Sequence, residues 1–259
     1  MKPNVAAWLS SPNFAALEII ARAGYVSVIF DAEHGTFDLN DLNRAIPFAK
    51  SLGLRVLVKA QAPERAAIQQ PLDFGADGII IPHIMDVEHA REVCGYAKLP
   101  PLGDRSLAGG RTMEYGGFDG SWTTSQNSAT LCLPMIEHPE ALDDVAAILA
   151  LDLVDGIFIG PGDLFARRGG GGFQVLEFEE KTLRELGRAA LAAEKLWMMP
   201  AWSEKEQQIA IEEGADTIGV IQEYTAIRLS VEAAHTAFTD LTDRTRNEAH
   251  ASDRNKDTK

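Results

Sequence analysis

The stretch from Leu131 to Leu164, LCLPMIEHPEALDDVAAILALDLVDGIFIGPGDL, limits the fold more than any other part of the chain. It holds two apolar runs of strand length, Leu131–Ile136 and Gly156–Ile159, each ending at a polar turn. Between them, Pro139–Leu151 carries Leu142, Val145, Ile148 and Leu149 at helical spacing. Strand, helix and strand in that order form a βαβ unit, whose two strands run parallel and end at the same edge of the sheet. Glu137 lies just past the first strand and Asp163 just past the second, so two carboxylates converge at the carboxyl edge, where such folds place their ligands. Two oxygen donors with room for water suit Mg²⁺ or Mn²⁺, with Co²⁺ a third candidate. Taken singly, Glu137 also reads as a first-turn helix acid and Asp163 as a turn residue after Pro161-Gly162. Their pairing on adjacent strand ends favours the functional reading.

The same alternation runs through the rest of the chain. Further strands are expected at Asn4–Leu9, Tyr25–Phe30, Arg55–Val58, Gly78–Ile81, Leu196–Pro200 and Thr217–Ile221. Helices are expected from Pro12 to Ala23 behind Ser11, from Asp38 with Leu39, Leu42, Ile46 and Ala49 on one face, and over Pro63–Phe74, Asp86–Ala97, Glu177–Glu194, Ser203–Glu213 and Tyr224–Phe238. Leu99–Ala129 reads as a long irregular stretch of the kind that carries function. The glycine run 169–172 reads as a flexible connection, since no lysine or helix start follows at phosphate-loop spacing. Eight strands in 259 residues fit one (β/α)₈ barrel, which typically takes about 250 residues; a doubly wound open sheet is the runner-up. The barrel domain is expected over 1–238, followed by a polar, disordered tail over 239–259.

A formal net charge of −14 argues against nucleic acid or an anionic membrane surface as the partner. An anionic small substrate would then need a local cation or a metal. The two cysteines, Cys94 and Cys132, fit buried free thiols rather than a disulfide framework. With no apolar leader segment and no run of eighteen apolar residues, the expected location is cytoplasmic.

In a barrel, the strand ends build the active face. Here they carry His34 after the second strand, Lys59 at the third, His83 at the fourth, Glu137 after the fifth and Asp163 after the sixth. A metal to polarise an α-keto acid, a base working near neutral pH and a cation for an enolate oxygen are the parts that carbonyl chemistry needs. Plainer readings exist for three of them: His34 as a hydrogen-bonded turn residue, His83 as a capping or packing residue, and Lys59 as a solvated strand end.

These segments together resemble the HpcH/HpaI aldolase family of metal-dependent class II pyruvate aldolases, over about Asn4 to Phe238. The strongest parts are FDAEHGTFDL (30–39), QQPLDFGADGIIIPHI (69–84), LPPLGDR (99–105), MIEHPEAL (135–142) and VDGIFIGPGDL (154–164). The resemblance implies a divalent metal held by Glu137 and Asp163 and chelated by pyruvate. It also implies His34 as base, made more basic by Asp73, and a substrate contact from the backbone of Gly162. The assembly it implies is a homo-oligomer, a hexamer or trimer, often with the last helix exchanged between subunits. The chain departs from the family pattern at Lys59, where arginine is usual, at Met135, where glutamine is usual, and at Ile221-Gln222-Glu223, where the family has a GVD segment.

The leading expectation is a carbon–carbon lyase that joins or splits a 2-oxo acid and an aldehyde through a metal-bound enolate. Oxaloacetate-type decarboxylation uses the same enolate. Two alternatives stand apart: a Schiff base on Lys59, and a barrel that binds a small molecule after losing catalysis through Lys59 and Met135.

Overall fold

The computed structural model describes residues 2–107, 110–117, 119–169 and 177–256. Eight parallel strands close into a barrel in sequence order. They are β1 Asn4–Leu9, β2 Ser27–Asp31, β3 Arg55–Lys59, β4 Gly78–Ile81, β5 Leu131–Ile136, β6 Gly156–Ile159, β7 Leu196–Pro200 and β8 Thr217–Gln222. Helices α1 Phe14–Arg22, α2 Leu39–Ser51, α3 Arg65–Asp73 and α4 Val87–Gly95 follow the first four strands. Closure in sequence order excludes the open doubly wound sheet.

The two-residue strand period sorts the core into two shells. Ala6, Trp8, Ile29, Leu57, Ile80, Leu133, Met135, Phe158 and Met198 fill the inside of the barrel. Their neighbours Ala7, Leu9, Val28, Phe30, Val56, Val58, Ile79 and Ile81 face outward into the larger core under the helices. The barrel is therefore packed solid, with polar groups gathered at its two ends, and in such folds it is the carboxyl rim that holds ligands.

Register then decides which strand-end residues are neighbours. Asp31 pairs with Lys59 across β2 and β3. Met135 pairs with Phe158 and Ile136 with Ile159 across β5 and β6, so Glu137 and Gly160 leave the sheet side by side.

The stretch between β4 and β5 is more ordered than its composition suggests. It contains a short 3₁₀ turn, Arg111–Met113, and a helix, α5 Gly120–Ala129. Asp119 caps α5, its Oδ1 accepting from the N–H groups of Ser121 and Trp122. None of the α5 residues is buried, which is why no apolar period marks it. The single helix expected over Pro139–Leu151 breaks at Asp144 into α6 Pro139–Asp143 and α7 Val145–Leu149. The Asp144 carboxylate accepts from the N–H of Val87 at the start of α4, a tertiary bond the local pattern cannot show.

After β6 come α8 Pro161–Arg167 and α9 Glu177–Ala192, and α10 Glu204–Glu212 links β7 to β8. Of the glycine run, Gly169 ends the described segment and Gly170–Gly172 lie outside the described residues. Chain contacts divide the molecule into a barrel unit ending at Ile221 and a second unit beginning at Gln222. The described residues of the second unit hold one helix, α11 Glu223–Lys256, which continues past Phe238. Local bonds accompany it: Arg228 pairs with Glu232 one turn on, and the hydroxyls of Thr239 and Thr245 donate to the carbonyls of His235 and Leu241. Among the described residues no helix is long and apolar enough to cross a membrane.

Candidate active site

The loop after β2 is built tightly. Asp31 accepts from the His34 N–H through Oδ1 at 3.0 Å and from the Trp8 indole N–H through Oδ2 at 3.1 Å. The Gly35 N–H donates to the Asp31 carbonyl and the Thr36 N–H to the Ser10 carbonyl. A Cβ on Gly35 would sit 2.1 Å from the Asp31 carbonyl oxygen and 2.6 Å from that of Ser10, so only glycine lets this turn close. The result holds His34 at the rim with 66% of its side chain exposed.

The next residue inward, Glu33, is the acid of this corner, its side chain only 8% exposed. Its Oε2 pairs with Lys59 Nζ, and its Oε1 lies 2.7 Å from His83 Nε2 and 3.5 Å from His34 Nε2. Lys59 is buried, which overturns its reading as a solvated strand end. Nor is His83 a simple cap. It adopts a left-handed backbone, φ 57°, that turns its N–H onto Glu137 Oε1 at 2.5 Å while its Nδ1 lies 3.4 Å from the same oxygen. Few non-glycine residues sit in this region, and those that do are often held there by the needs of a site.

Glu137 is buried at the end of β5. With Oε1 held by His83, its Oε2 faces Gly160, where an added Cβ would lie 3.2 Å from that oxygen and 2.9 Å from the Glu137 Cβ. A side chain at 160 would push the carboxylate off its place. Asp163 stands in the first turn of α8, 59% exposed, with Arg167 at 4.0 Å as a loose partner. Around Gly162 the space is open, with nothing within 4 Å of a would-be Cβ.

Two neighbours of the expected site were not singled out from the sequence, although both are adjacent in the chain to residues that were. One is Glu33. The other is His138, whose ring centroid lies 6.1 Å from that of His83 and whose buried Nε2 has no hydrogen-bond partner among the described residues. Burial, and then the Arg167 charge, hold the His138 imidazole below its ordinary pKa range. Asp73 is placed differently from the rest: it ends α3, and its Oδ1 accepts from Arg105 at 2.6 Å rather than reaching His34. Among the described residues it is Glu33 whose carboxylate is paired with the His34 ring, at 3.5 Å.

The donor set fits a hard divalent cation. Among the described residues no three His, Cys, Asp or Glu side chains gather as a metal cluster. Glu137 and Asp163 are oxygen donors, the ligand type that Mg²⁺ takes, and a site with few protein ligands leaves its other positions to water and substrate oxygens. Met135 reaches the same corner, its Cε 3.1 Å from a would-be Gly160 Cβ, and offers no hydrogen-bond donor there.

Residues 4–193 match the sequence profile of the HpcH/HpaI aldolase/citrate lyase family. The chain belongs to that family. It is 32% identical over 204 residues to the 2-keto-3-deoxy-L-rhamnonate aldolase of Klebsiella pneumoniae, a match covering 76% of each chain. In structure it resembles the HpcH/HpaI aldolase from Desulfitobacterium hafniense, with a TM-score of 0.85, 28% identity, and 92% of this chain and 93% of that one covered. A family protein from Burkholderia cenocepacia, 24% identical with a TM-score of 0.81 over 93% and 95% of the two chains, shares the fold. As an HpcH/HpaI enzyme the chain is a carbon–carbon lyase of the aldolase type.

Proposed function

We propose that this HpcH/HpaI enzyme makes or breaks the carbon–carbon bond beside the carbonyl of a 2-oxo acid of the pyruvate type, with an aldehyde as the other partner. What supports this reading is Glu137 just past β5 and Asp163 in the first turn of α8, on the connections that follow neighbouring strands, beside the ion-paired Lys59–Glu33–His83 corner. The curated relatives are named as aldolases of a 2-keto-3-deoxy sugar acid, which supports a 2-oxo acid as the substrate class here.

Glu137 and Asp163 would hold Mg²⁺ or Mn²⁺, with Co²⁺ a further candidate. When bound, such a cation polarises the carbonyl and offsets the negative charge that develops on its oxygen. The chain's own residues do the rest. Lys59 brings a fixed positive charge to that developing oxyanion. His34, exposed at the rim, moves the proton between the solvent side and the hydroxyl or carbonyl of the aldehyde partner. Gly162, with open space about its Cα, lets the substrate approach the backbone at the start of α8. His83 keeps Glu137 in place through its N–H. The role expected for Asp73 at His34 would need a neighbouring subunit, and a homo-oligomer, hexamer or trimer, is part of this reading. So is a cytoplasmic location, supported by the two buried free thiols Cys94 and Cys132.

The direct test supplies the protein with Mg²⁺, Mn²⁺ or Co²⁺ and a 2-keto-3-deoxy sugar acid, and follows pyruvate release. Turnover that requires the metal is the expected result. Absence of turnover with every metal, and in the reverse direction with pyruvate and a panel of aldehydes, would sink the proposal.

A further inference from the structure

Three basic groups at the carboxyl rim share Glu33, and one of them, His83, also meets Glu137. Glu33 takes Lys59 on Oε2 and His83 on Oε1, and His34 Nε2 stands 3.5 Å from that same Oε1. The geometry points to Glu33 as the positioning residue of this site, the carboxylate that aims the Lys59 ammonium and aligns the two imidazoles above it. This inference rests on the aldolase reading and names the residue that makes a lysine workable in it.

The need for such a residue follows from the chemistry of lysine. An arginine carries a rigid planar fork, which orients itself against an oxyanion. An ammonium is a compact charge on four rotatable bonds, with three donors and no preferred plane. It points where its partner points. Here the partner is fixed, because Glu33 lies on the tight turn closed by Gly35 and is buried beneath the rim.

Burial also argues that the pair is kept for something other than stability. A buried ion pair recovers in attraction little more than it loses in desolvation, and an apolar pair of similar volume often serves the fold as well. The layering is that of a working site: the acid and the ammonium lie beneath, while the imidazoles of His83 and His34 are 44% and 66% exposed above them. The clamp reaches the β5 acid as well, since His83 donates its N–H to Glu137. The alternative acid, Asp73, is committed to Arg105 within the chain.

The test has two arms. In the metal-free protein, trinitrobenzenesulfonate modification of Lys59 is followed by peptide mass. Glu33→Gln keeps the shape and removes the charge, so the ammonium, freed from its ion pair, should swing out and react about ten-fold faster. In the metal-loaded protein, Glu33→Gln should lower kcat by about 10², the cost of a displaced group, with metal affinity by calorimetry unchanged. Glu33→Asp should recover part of that loss, and Glu33→Gln combined with Lys59→Met should be no slower than Lys59→Met alone. Should Glu33→Gln fail to fold, Glu33→Asp carries the modification arm, with a faster reaction at Lys59 again expected. Modification at the wild-type rate would overturn the inference, as would losses in the double variant that simply multiply. If wild type itself turns over no 2-oxo acid, the aldolase reading fails, and the modification arm still decides whether Glu33 clamps Lys59.

Discussion

Two ionic clusters in this molecule are built in opposite ways. On the outer wall, Arg184 of α9 sits among three acids: Glu180 at 2.9 Å, Glu212 at 2.8 Å and Glu213 at 2.9 Å. Arg188 and Lys205 extend the set through Glu213 and Glu180. At the rim of the barrel the balance is reversed: Glu33 stands among Lys59, His83 and His34, with Glu137 on the far side of His83. The wall cluster is part-buried at its centre, where Arg184 and Glu213 are 21% and 10% exposed, and open to water at Arg188, Glu212 and Lys205; every acid in it has more than one donor, so losing one bond leaves others. The rim cluster is buried at its base, and Lys59 there depends on Glu33. The wall ties α9 to α10 at little cost and with little gain per pair. The rim carries a desolvation cost that the fold has no use for, and that cost is the physical mark of a site.

The comparison is broken most severely at the proposed metal pair. Glu137→Ala or Asp163→Ala should abolish tight Mg²⁺ or Mn²⁺ binding by calorimetry, and turnover with it, with little loss of fold. Unchanged affinity in both variants would make the pair structural and put the rim in the same class as the wall. Next in size is His34→Ala, which should reduce turnover by about 10²–10⁴ while leaving metal binding intact. Equal turnover would remove His34 from the reaction.

The smallest expected effect belongs to the wall. Glu213→Gln should lower Tm by no more than about 2–4 °C, an effect that fades at high salt. Its pH dependence has a definite sign. Arg188, and then Arg184, hold the Glu213 carboxyl below its ordinary range, while Gln208 and Arg184 do so for Glu212, and Lys205 and Arg184 for Glu180. A carboxylate whose folded pKa is depressed stabilises fully above its unfolded pKa and loses that contribution as pH falls through the folded value. Thermal melts of wild type and Glu213→Gln should therefore converge as the pH drops below about 4.5. A difference that grows with acid would contradict the assignment.

Much of the barrel is written locally. The bounds of β1, β4, β5, β6 and β7 follow from apolar runs closed by turn residues, and so do the places of Lys59 at the end of β3 and Glu137 just past β5, while Asp163 lies in the first turn of α8. The strand expected over Tyr25–Phe30 is shifted, because β2 is set by its pairing of Asp31 with Lys59 rather than by the aromatic and β-branched residues before it. Helix α5 has no buried face to leave a period, and the break at Asp144 depends on a bond to Val87 far along the chain. At the site the same limit applies. Residue types and strand ends are legible, but which acid meets which base is decided by register and rotamer. That is why Asp73 is found with Arg105, and why Glu33, in plain view within DAEH, takes its part only when β2, β3 and β4 come together.

The central claim is that the rim works as a metal-assisted site in which Lys59 acts as a charge, and the rival is an imine on Lys59. Both are decided by borohydride treatment of wild-type protein with pyruvate, with peptide mass read at Lys59 and turnover measured with and without chelator. The account predicts no adduct and full loss of turnover with chelator. It also predicts activity in Lys59→Arg, since a guanidinium keeps the charge, and loss in Lys59→Ala. An adduct mapped to Lys59, turnover that survives the chelator and an inactive Lys59→Arg would contradict it.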